Sequence, residues 1–228
     1  MAAAPAALTI RSNFPRPTAA QLAGFRGMPT GWVVDAQGRE GALSHEIRCV
    51  TKASAFVGTA LTVHTRSRDN LAPWAALDLA KPGDVLVVAT DAYLYASTIG
   101  DLMAGMAKNC GVVAIVTDGL VRDVPGLDEV GLPVFARGVS PNSPFKDGPG
   151  AIGLTVSLAG MTVDSGDILV GDGDGVVVVK RAEADAVLAA LQEVKAKEAK
   201  MEKAVKAGAK RPDWLDKALA DKGVRLVD

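Results

Sequence analysis

Three short stretches of this 228-residue chain hold the residues equipped for chemistry. The first, IVTDGLVRDV (residues 115–124), begins as an apolar strand and then sets Asp118, Arg122 and Asp123 within six positions. If neighbouring strands run parallel, their ends open into a shared crevice, the place where α/β sheets bind ligands. The crevice would then offer a guanidinium, with its planar fork of donors, beside carboxylates. The same residues would equally make a structural ion pair. The second stretch, STIGDLMAG (97–105), puts Gly100 ahead of Asp101, Leu102 and Met103 at the predicted start of a helix. Free N–H groups and the positive end of the helix dipole suit a carboxylate or phosphate. Alternatively, Gly100 is only a helix entry and Asp101 a favourable first-turn charge. The third feature is Glu198, which sits on the apolar stripe Val187, Leu191, Val194, Met201, Val205 of a long helix. A carboxylate on such a seam is either exposed, because the helix has left its own core, or buried against a partner.

Other chemistries find little support. Met106 stands where a Walker loop needs lysine, and no G-x-G-x-x-G follows a strand. DGDGV (172–176) lacks the further ligands of a calcium loop and reads as a β-turn. His64 and Ser97 join no nucleophile motif, nothing marks Lys108 or Lys146 as a desolvated Schiff-base amine, and two histidines, His45 and His64, are too few for the usual zinc sites. Cys49 and Cys110 lack metal-ligand spacing and read as reduced and buried. A net charge of −1 with a pI near 6.1 carries no nucleic-acid footprint. The opening MAAAPAALTI has no basic region, and no apolar run nears the ~20 residues a membrane span needs, which predicts a cytoplasmic protein without a membrane partner.

The elements that must position these residues follow from periodicity. With 49% hydrophobic residues and a mean hydropathy of +0.21, one substantial core is expected. Residues 1–30, rich in proline, read as an N-terminal arm with one helix near TAAQLAGF, capped by Thr18 and serving as a lid or packing arm. Residues 31–181 form an α/β catalytic domain and 182–228 a helical extension, within a single domain overall. Strands are predicted at 56–65, 85–90, 112–117 and 133–138, with helices at 71–80 and 101–110 between the first three, so the crossovers are parallel. A Pro/Gly/Ser loop follows at 139–150, and 166–180 reads as a hairpin where the sheet becomes antiparallel. A helix over 182–207 ends at Gly208, and a short helix with an edge strand closes the chain.

Taken in order, VGTALTV, RDN (68–70), PGDVLVV, GDLMAGMAKNCGVVAIVTDGLVRDV, LPVFARG, GDILVGDGDGVVVV and AKEAKMEKAVKAG make the chain resemble the metal-dependent 4-hydroxy-4-methyl-2-oxoglutarate aldolases, or class II pyruvate aldolases. These are related to the regulator of ribonuclease E activity A. The resemblance covers about residues 50–228, and its most specific part is the G-D-L-[LM] turn followed by D-G-x-x-R-D. It implies a β/β/α sandwich of the swivelling-domain type, assembled as trimers or pairs of trimers, with the long helix packed on a neighbouring subunit. Gly100, Asp101, Leu102 and Met103 resemble the turn that holds the pyruvate carboxylate, and Arg122 the arginine at the keto oxygen. Asp123 resembles the principal ligand of Mg²⁺ or Mn²⁺. Asp101, and Glu198 arriving from a neighbouring subunit, resemble carboxylates that hold metal-bound waters. The implied activity is cleavage of 4-hydroxy-4-methyl-2-oxoglutarate or 4-carboxy-4-hydroxy-2-oxoadipate to pyruvate through a metal-stabilised enolate, with oxaloacetate decarboxylation. The non-catalytic regulator branch of the same fold lacks the acid after the arginine and the long helix, whereas this chain has Asp123 and Glu198. A lyase of the same fold acting on another hydroxy acid is a further alternative.

Overall fold

The computed structural model describes residues 6–227, so the first five positions of the expected arm lie outside it. In chain order the elements are β1 (Leu8–Ile10), α1 (Ala19–Phe25), α2 (Thr30–Ala36), β2 (Arg48–Cys49), β3 (Phe56–Thr65), α3 (Leu71–Ala76), β4 (Asp84–Ala89), β5 (Ser97–Ile99), α4 (Asp101–Asn109), β6 (Ala114–Thr117), β7 (Leu120–Val121), α5 (Val124–Val130), β8 (Val134–Ala136), β9 (Gly138–Val139), β10 (Gly150–Ile152), β11 (Val156–Leu158), β12 (Met161–Val163), β13 (Ile168–Asp172), β14 (Gly175–Val179), α6 (Ala184–Lys206) and α7 (Leu215–Lys222).

The expected crossovers form the centre of the sheet: β3, β4, β6 and β8 are parallel neighbours, with α3, α4 and α5 in the connections. Strand side chains alternate between faces. Leu86 and Val88 therefore join the α3 and α4 residues Ala76, Met103, Ala104 and Ala107 in one core. Val85 and Val87 point the other way and pack with Leu158, Val163 and Leu169. The α/β class is thus built as a sheet with helices on one face and further strands on the other. Antiparallel pairing is wider than the hairpin predicted from 166–180: β10 and β13 share one edge of β3, and β2 runs antiparallel to β8. No strand forms in 223–227 among the described residues, where Leu226 and Val227 lie exposed and an edge strand would find no partner. Cys49 and Cys110 are free but only half-buried, because each sits at the end of its element and not within the core.

The outer face of the β13–β14 hairpin carries Ile168, Val170, Val177 and Val179, and these pack on Phe25 of α1, Val33 of α2 and Val187 and Leu191 of α6. The arm is therefore a packing arm. Thr18 starts α1 with a full capping box, its hydroxyl accepting from Gln21 N–H and its own N–H donating to Gln21. Asp172 ties α2 to the hairpin. Its burial opposes ionisation, yet N–H bonds from Thr30 and Asp174 and the Thr30 hydroxyl outweigh this and hold its carboxyl below the ordinary range.

Further along the arm, Arg16 makes a bidentate pair with Asp84 at 2.6 and 2.8 Å, and the Asp84 side chain is 0% exposed. Removing one partner of such a pair leaves a buried charge uncompensated. Arg16→Ala is expected to lower unfolding free energy by roughly 3 kcal/mol, read from chemical denaturation.

Lys180 donates to Asp164 and Asp167, and Asp164 also accepts from the Thr155 hydroxyl. The Thr155 bond first, then the Lys180 charge, lower the Asp164 carboxyl against its burial. A depressed carboxyl contributes stability above its unfolded value and loses it as pH falls through the folded one. Asp164→Asn should therefore flatten the loss of thermal stability below about pH 4, measured by calorimetry.

Candidate active site

Three of the parallel strands of the main sheet, β4, β6 and β8, are each followed by a second, shorter strand before the next helix or loop begins. These short strands, β5, β7 and β9, form a separate parallel sheet in the order β5-β7-β9. This small sheet was not foreseen from the sequence, and it aligns three chain segments at one cleft. The N-terminus of α4 leaves β5, Arg122 and Asp123 leave β7, and Ser143 with Lys146 follow β9. The cleft encloses about 130 Å³, below the range of drug-sized pockets, which suits a small acid.

Gly100, Asp101, Leu102, Met103, Arg122 and Asp123 all line this one cleft. Arg122 Nε donates to Asp123 Oδ2 at 3.0 Å, and its Nη1 donates to Ser143 Oγ at 2.8 Å. Both side chains of the ion pair remain about two-fifths open to solvent, at 39% and 41%. They are therefore reachable by a ligand. Asp123 occupies the left-handed region at φ 60° and ψ 42°, an unusual conformation for a residue with a side chain. Such conformations cost of order 1–3 kcal/mol and cluster at functional sites. Gly100 leaves room for the ion pair: a Cβ there would stand 2.7 Å from Asp123 Oδ2 and 3.3 Å from Arg122 Nε and would push the pair aside.

Asp101 sits in the first turn of α4, where its Oδ1 accepts from Leu102 N–H at 2.7 Å, and its Oδ2 lies against Gly126 of α5. A Cβ at Gly126 would come 2.8 Å from the Asp101 Cβ, a distance real contacts do not show. Gly126→Ala is compatible with the helix but must displace Asp101. It should cut turnover about a hundredfold through misplacement alone, while the far-UV circular dichroism stays unchanged.

Asp118, the first acid of the opening stretch, does not join the cleft. It is buried and accepts from Thr90 N–H at 2.7 Å, the Thr90 hydroxyl at 2.9 Å and Ala92 N–H at 3.0 Å. Its work is to hold a loop in which Asp91 and Ala92 both have φ of 56°. Glu198 is also outside the cleft of its own chain. It is exposed and borders a groove with Trp32, Asp35 and Asp174. The helix carrying it is buried only at Ala184, Val187 and Leu191; beyond Val194 it projects from the core.

Sequence reasoning missed part of the wall. Asn70 and Trp74 were assigned no place in it, whereas Ser143 and Lys146 come from the 139–150 loop, which the sequence reading had shaping the distal part of the pocket. Asn70 donates to the Thr98 carbonyl at 3.0 Å, and both Asn70 Oδ1 and Trp74 Nε1 are buried without a partner. Unpaired buried polar atoms call for an explanation, and polar groups of a ligand or water would supply one. The available signal was the RDN tripeptide and the polar, lysine-bearing loop after a parallel strand, since such loops carry function. Among the described residues no helix is long and apolar enough to cross a membrane.

Comparison with known proteins identifies the family. A family model described as RraA-like, Aldolase/RraA, matches residues 30–178. A protein of Halalkalibacterium halodurans provisionally named 4-hydroxy-4-methyl-2-oxoglutarate aldolase is 34% identical over 79% of this chain and 86% of its own length. Among solved structures, an uncharacterized protein from Pseudomonas syringae pv. tomato superposes with a TM-score of 0.75 at 25% identity, covering 86% of this chain and 96% of that one. Streptomyces coelicolor RraAS2, described as an unusual member of the RNase ES inhibitor RraA protein family, gives 0.72 at 25% identity over 82% of this chain and 98% of its own. With two-thirds of its length matched by the family model and the cleft strands inside the match, the chain belongs to the RraA-like family of aldolases and RraA proteins.

Proposed function

We propose that the chain is a divalent-metal-dependent lyase that cleaves 4-hydroxy-2-oxo acids, of the 4-hydroxy-4-methyl-2-oxoglutarate or 4-carboxy-4-hydroxy-2-oxoadipate kind, to pyruvate, and that also decarboxylates oxaloacetate. The observation that carries this reading is the meeting of the α4 N-terminus, Arg122 and Asp123 in one solvent-reachable cleft. No group of three His, Cys, Asp or Glu side chains is placed to hold a metal among the described residues. Mg²⁺, however, commonly takes one or two protein carboxylates and keeps several waters, so Asp123 as direct ligand and Asp101 through water fit it, or Mn²⁺. Bound there, the cation would supply the charge that draws electrons toward the substrate's C2 ketone, an effect of several kcal/mol.

The chain's own groups divide the remaining work. The amides at the start of α4 hold the C1 carboxylate. A carboxylate arriving there takes over the Leu102 N–H that Asp101 now occupies, which frees Asp101. Asp101, through a water, then accepts the proton of the 4-hydroxyl as the C4 carbonyl forms. The C3–C4 bond breaks, its electron pair forms the C2–C3 double bond as the C2 carbonyl pair shifts to oxygen, and Arg122 holds the resulting enolate oxygen. The proton taken by Asp101 returns through the water to C3, which releases pyruvate. With oxaloacetate the same electron pair is left behind by departing CO₂, so one site serves both reactions.

A second copy would complete the site. The projecting half of α6 carries Val194, Met201 and Val205 beside Lys195, Lys197 and Lys200. Between α4 and α5 runs a groove of about 430 Å³, bordered by Leu102, Met106, Asp101 and Glu129, with Leu102 73% exposed. Apolar stripe and charge are complementary, which supports a homotrimer or hexamer in which Glu198 of one copy holds a water in the cleft of another.

The assay couples pyruvate release to lactate dehydrogenase over a panel of 4-hydroxy-2-oxo acids and oxaloacetate, with Mg²⁺ and with EDTA. Release that depends on added metal is expected; equal release in both conditions counts against the reading. The likeness to the Streptomyces inhibitor-family protein favours a second reading, a non-catalytic binding regulator. Capture of ribonuclease E by a chain that releases no pyruvate from any acid of the panel would select it.

A further inference from the structure

Asp69 lies one residue before Asn70 and is 0% exposed, yet no lysine or arginine pairs with it among the described residues. A buried carboxylate needs compensation, and here backbone amides provide all that is seen. Oδ1 accepts from Leu71 N–H at 2.9 Å, at the start of α3. Oδ2 accepts from Asp147 N–H at 2.7 Å and Gly148 N–H at 3.1 Å, at the end of the loop that carries Ser143 and Lys146. The two segments are separated by about 75 positions in sequence and both contribute to the cleft wall. Two further backbone bonds, Phe145 N–H to Arg68 O at 2.8 Å and Asn70 N–H to Phe145 O at 3.0 Å, lie beside the carboxylate. The loop's other end is fastened at Asn142, whose carbonyl accepts from both Ser97 N–H and Ser97 Oγ. Ser143 to Lys146 thus form a bridge in the cleft wall held between two anchors.

We infer that Asp69 is a positioning residue for the cleft: its buried carboxylate fastens the Ser143–Lys146 bridge to the base of α3, so that Lys146 stands ready for an anionic substrate. This deepens the proposed reaction and rests on it for the identity of the anion, but the clamp itself does not. Asp69 touches no substrate; it acts through the bridge. Asn cannot replace it, because one of the two oxygens becomes an NH₂ that must face a backbone N–H in either orientation.

Two measurements decide the matter. In the first, amide hydrogen exchange in the intact protein should show Asp147 and Gly148 protected relative to Lys146 on the same exposed loop. Asp69→Asn should speed exchange at 147 and 148 by at least about tenfold while β4 and β6 exchange as before. In the second, calorimetric binding of oxamate with Mg²⁺ is compared for wild type, Asp69→Asn, Lys146→Ala and the double variant. Each single change should weaken oxamate by about tenfold, and the double variant should bind no more weakly than Lys146→Ala alone, since both act through one group. A general loss of structure would not respect that limit: multiplying effects, or an Asp69→Asn protein that binds as wild type, overturn the inference. Unprotected amides at 147 and 148 in wild type overturn it whatever oxamate does. Failure of the wild type to bind oxamate at all tells instead against the proposed reaction, and the exchange data then decide the clamp alone.

Discussion

Arg122→Lys is expected to lower pyruvate release from the preferred 4-hydroxy-2-oxo acid by about a thousandfold, the size of loss seen when one preorganised donor to a developing oxyanion is removed. Lysine keeps the charge but not the plane. Arg122 uses Nε on Asp123 and Nη1 on Ser143, which leaves its remaining N–H groups directed by two fixed bonds. An ammonium on a flexible stem can satisfy one of those partners and aim at nothing. The pair is two-fifths exposed, so its loss should barely move the thermal midpoint. Steady-state kinetics beside differential scanning fluorimetry reads both quantities. A variant within tenfold of wild type would show that Arg122 only braces Asp123.

Asp123→Asn should abolish the metal response, with kcat/KM reduced about a thousandfold or more, because the one carboxylate placed as direct ligand becomes a neutral amide. Asn is the informative replacement. At φ 60° and ψ 42° most side chains are strained, whereas Asn and Asp tolerate the left-handed region best, so α5 should still start at this position. Alanine would confound lost chemistry with lost folding. Isothermal titration with Mn²⁺ separates the effects: the folded variant should show no metal binding in the range where wild type saturates. Retained Mn²⁺ binding would move the metal away from Asp123.

Much of this arrangement was legible in the sequence because period and punctuation agree. β3 falls at Phe56–Thr65 as its β-branched run indicates, α4 starts at Asp101 after Gly100, and Gly111 with φ of 86° follows its end. The gathering of Gly100, Arg122 and Asp123 followed from parallel strands opening at one end. The three-strand platform beneath them did not, since strands of two or three residues such as Leu120–Val121 are too short to show a period. Asp118 misled for a related reason. Its neighbours in sequence suggest a site acid, but its hydrogen-bond partners, Thr90 and Ala92, are brought to it by the fold. Asp69 was hidden the same way, being an acid whose partners at 147 and 148 are remote in the chain. Glu198 was legible as an anomaly on an apolar stripe, and its exposure in a single chain agrees with a helix that has left its own core.

The central claim is that this cleft turns a 2-oxo acid into an enolate, and proton exchange on pyruvate tests it without knowledge of the natural substrate. Incubated in D₂O with enzyme and Mg²⁺, pyruvate should lose its methyl ¹H signal as C3 is deprotonated and refilled with deuterium. Addition of EDTA, or use of Arg122→Lys, should stop the loss. A methyl signal that decays no faster with wild-type enzyme than with Mg²⁺ alone would contradict the account.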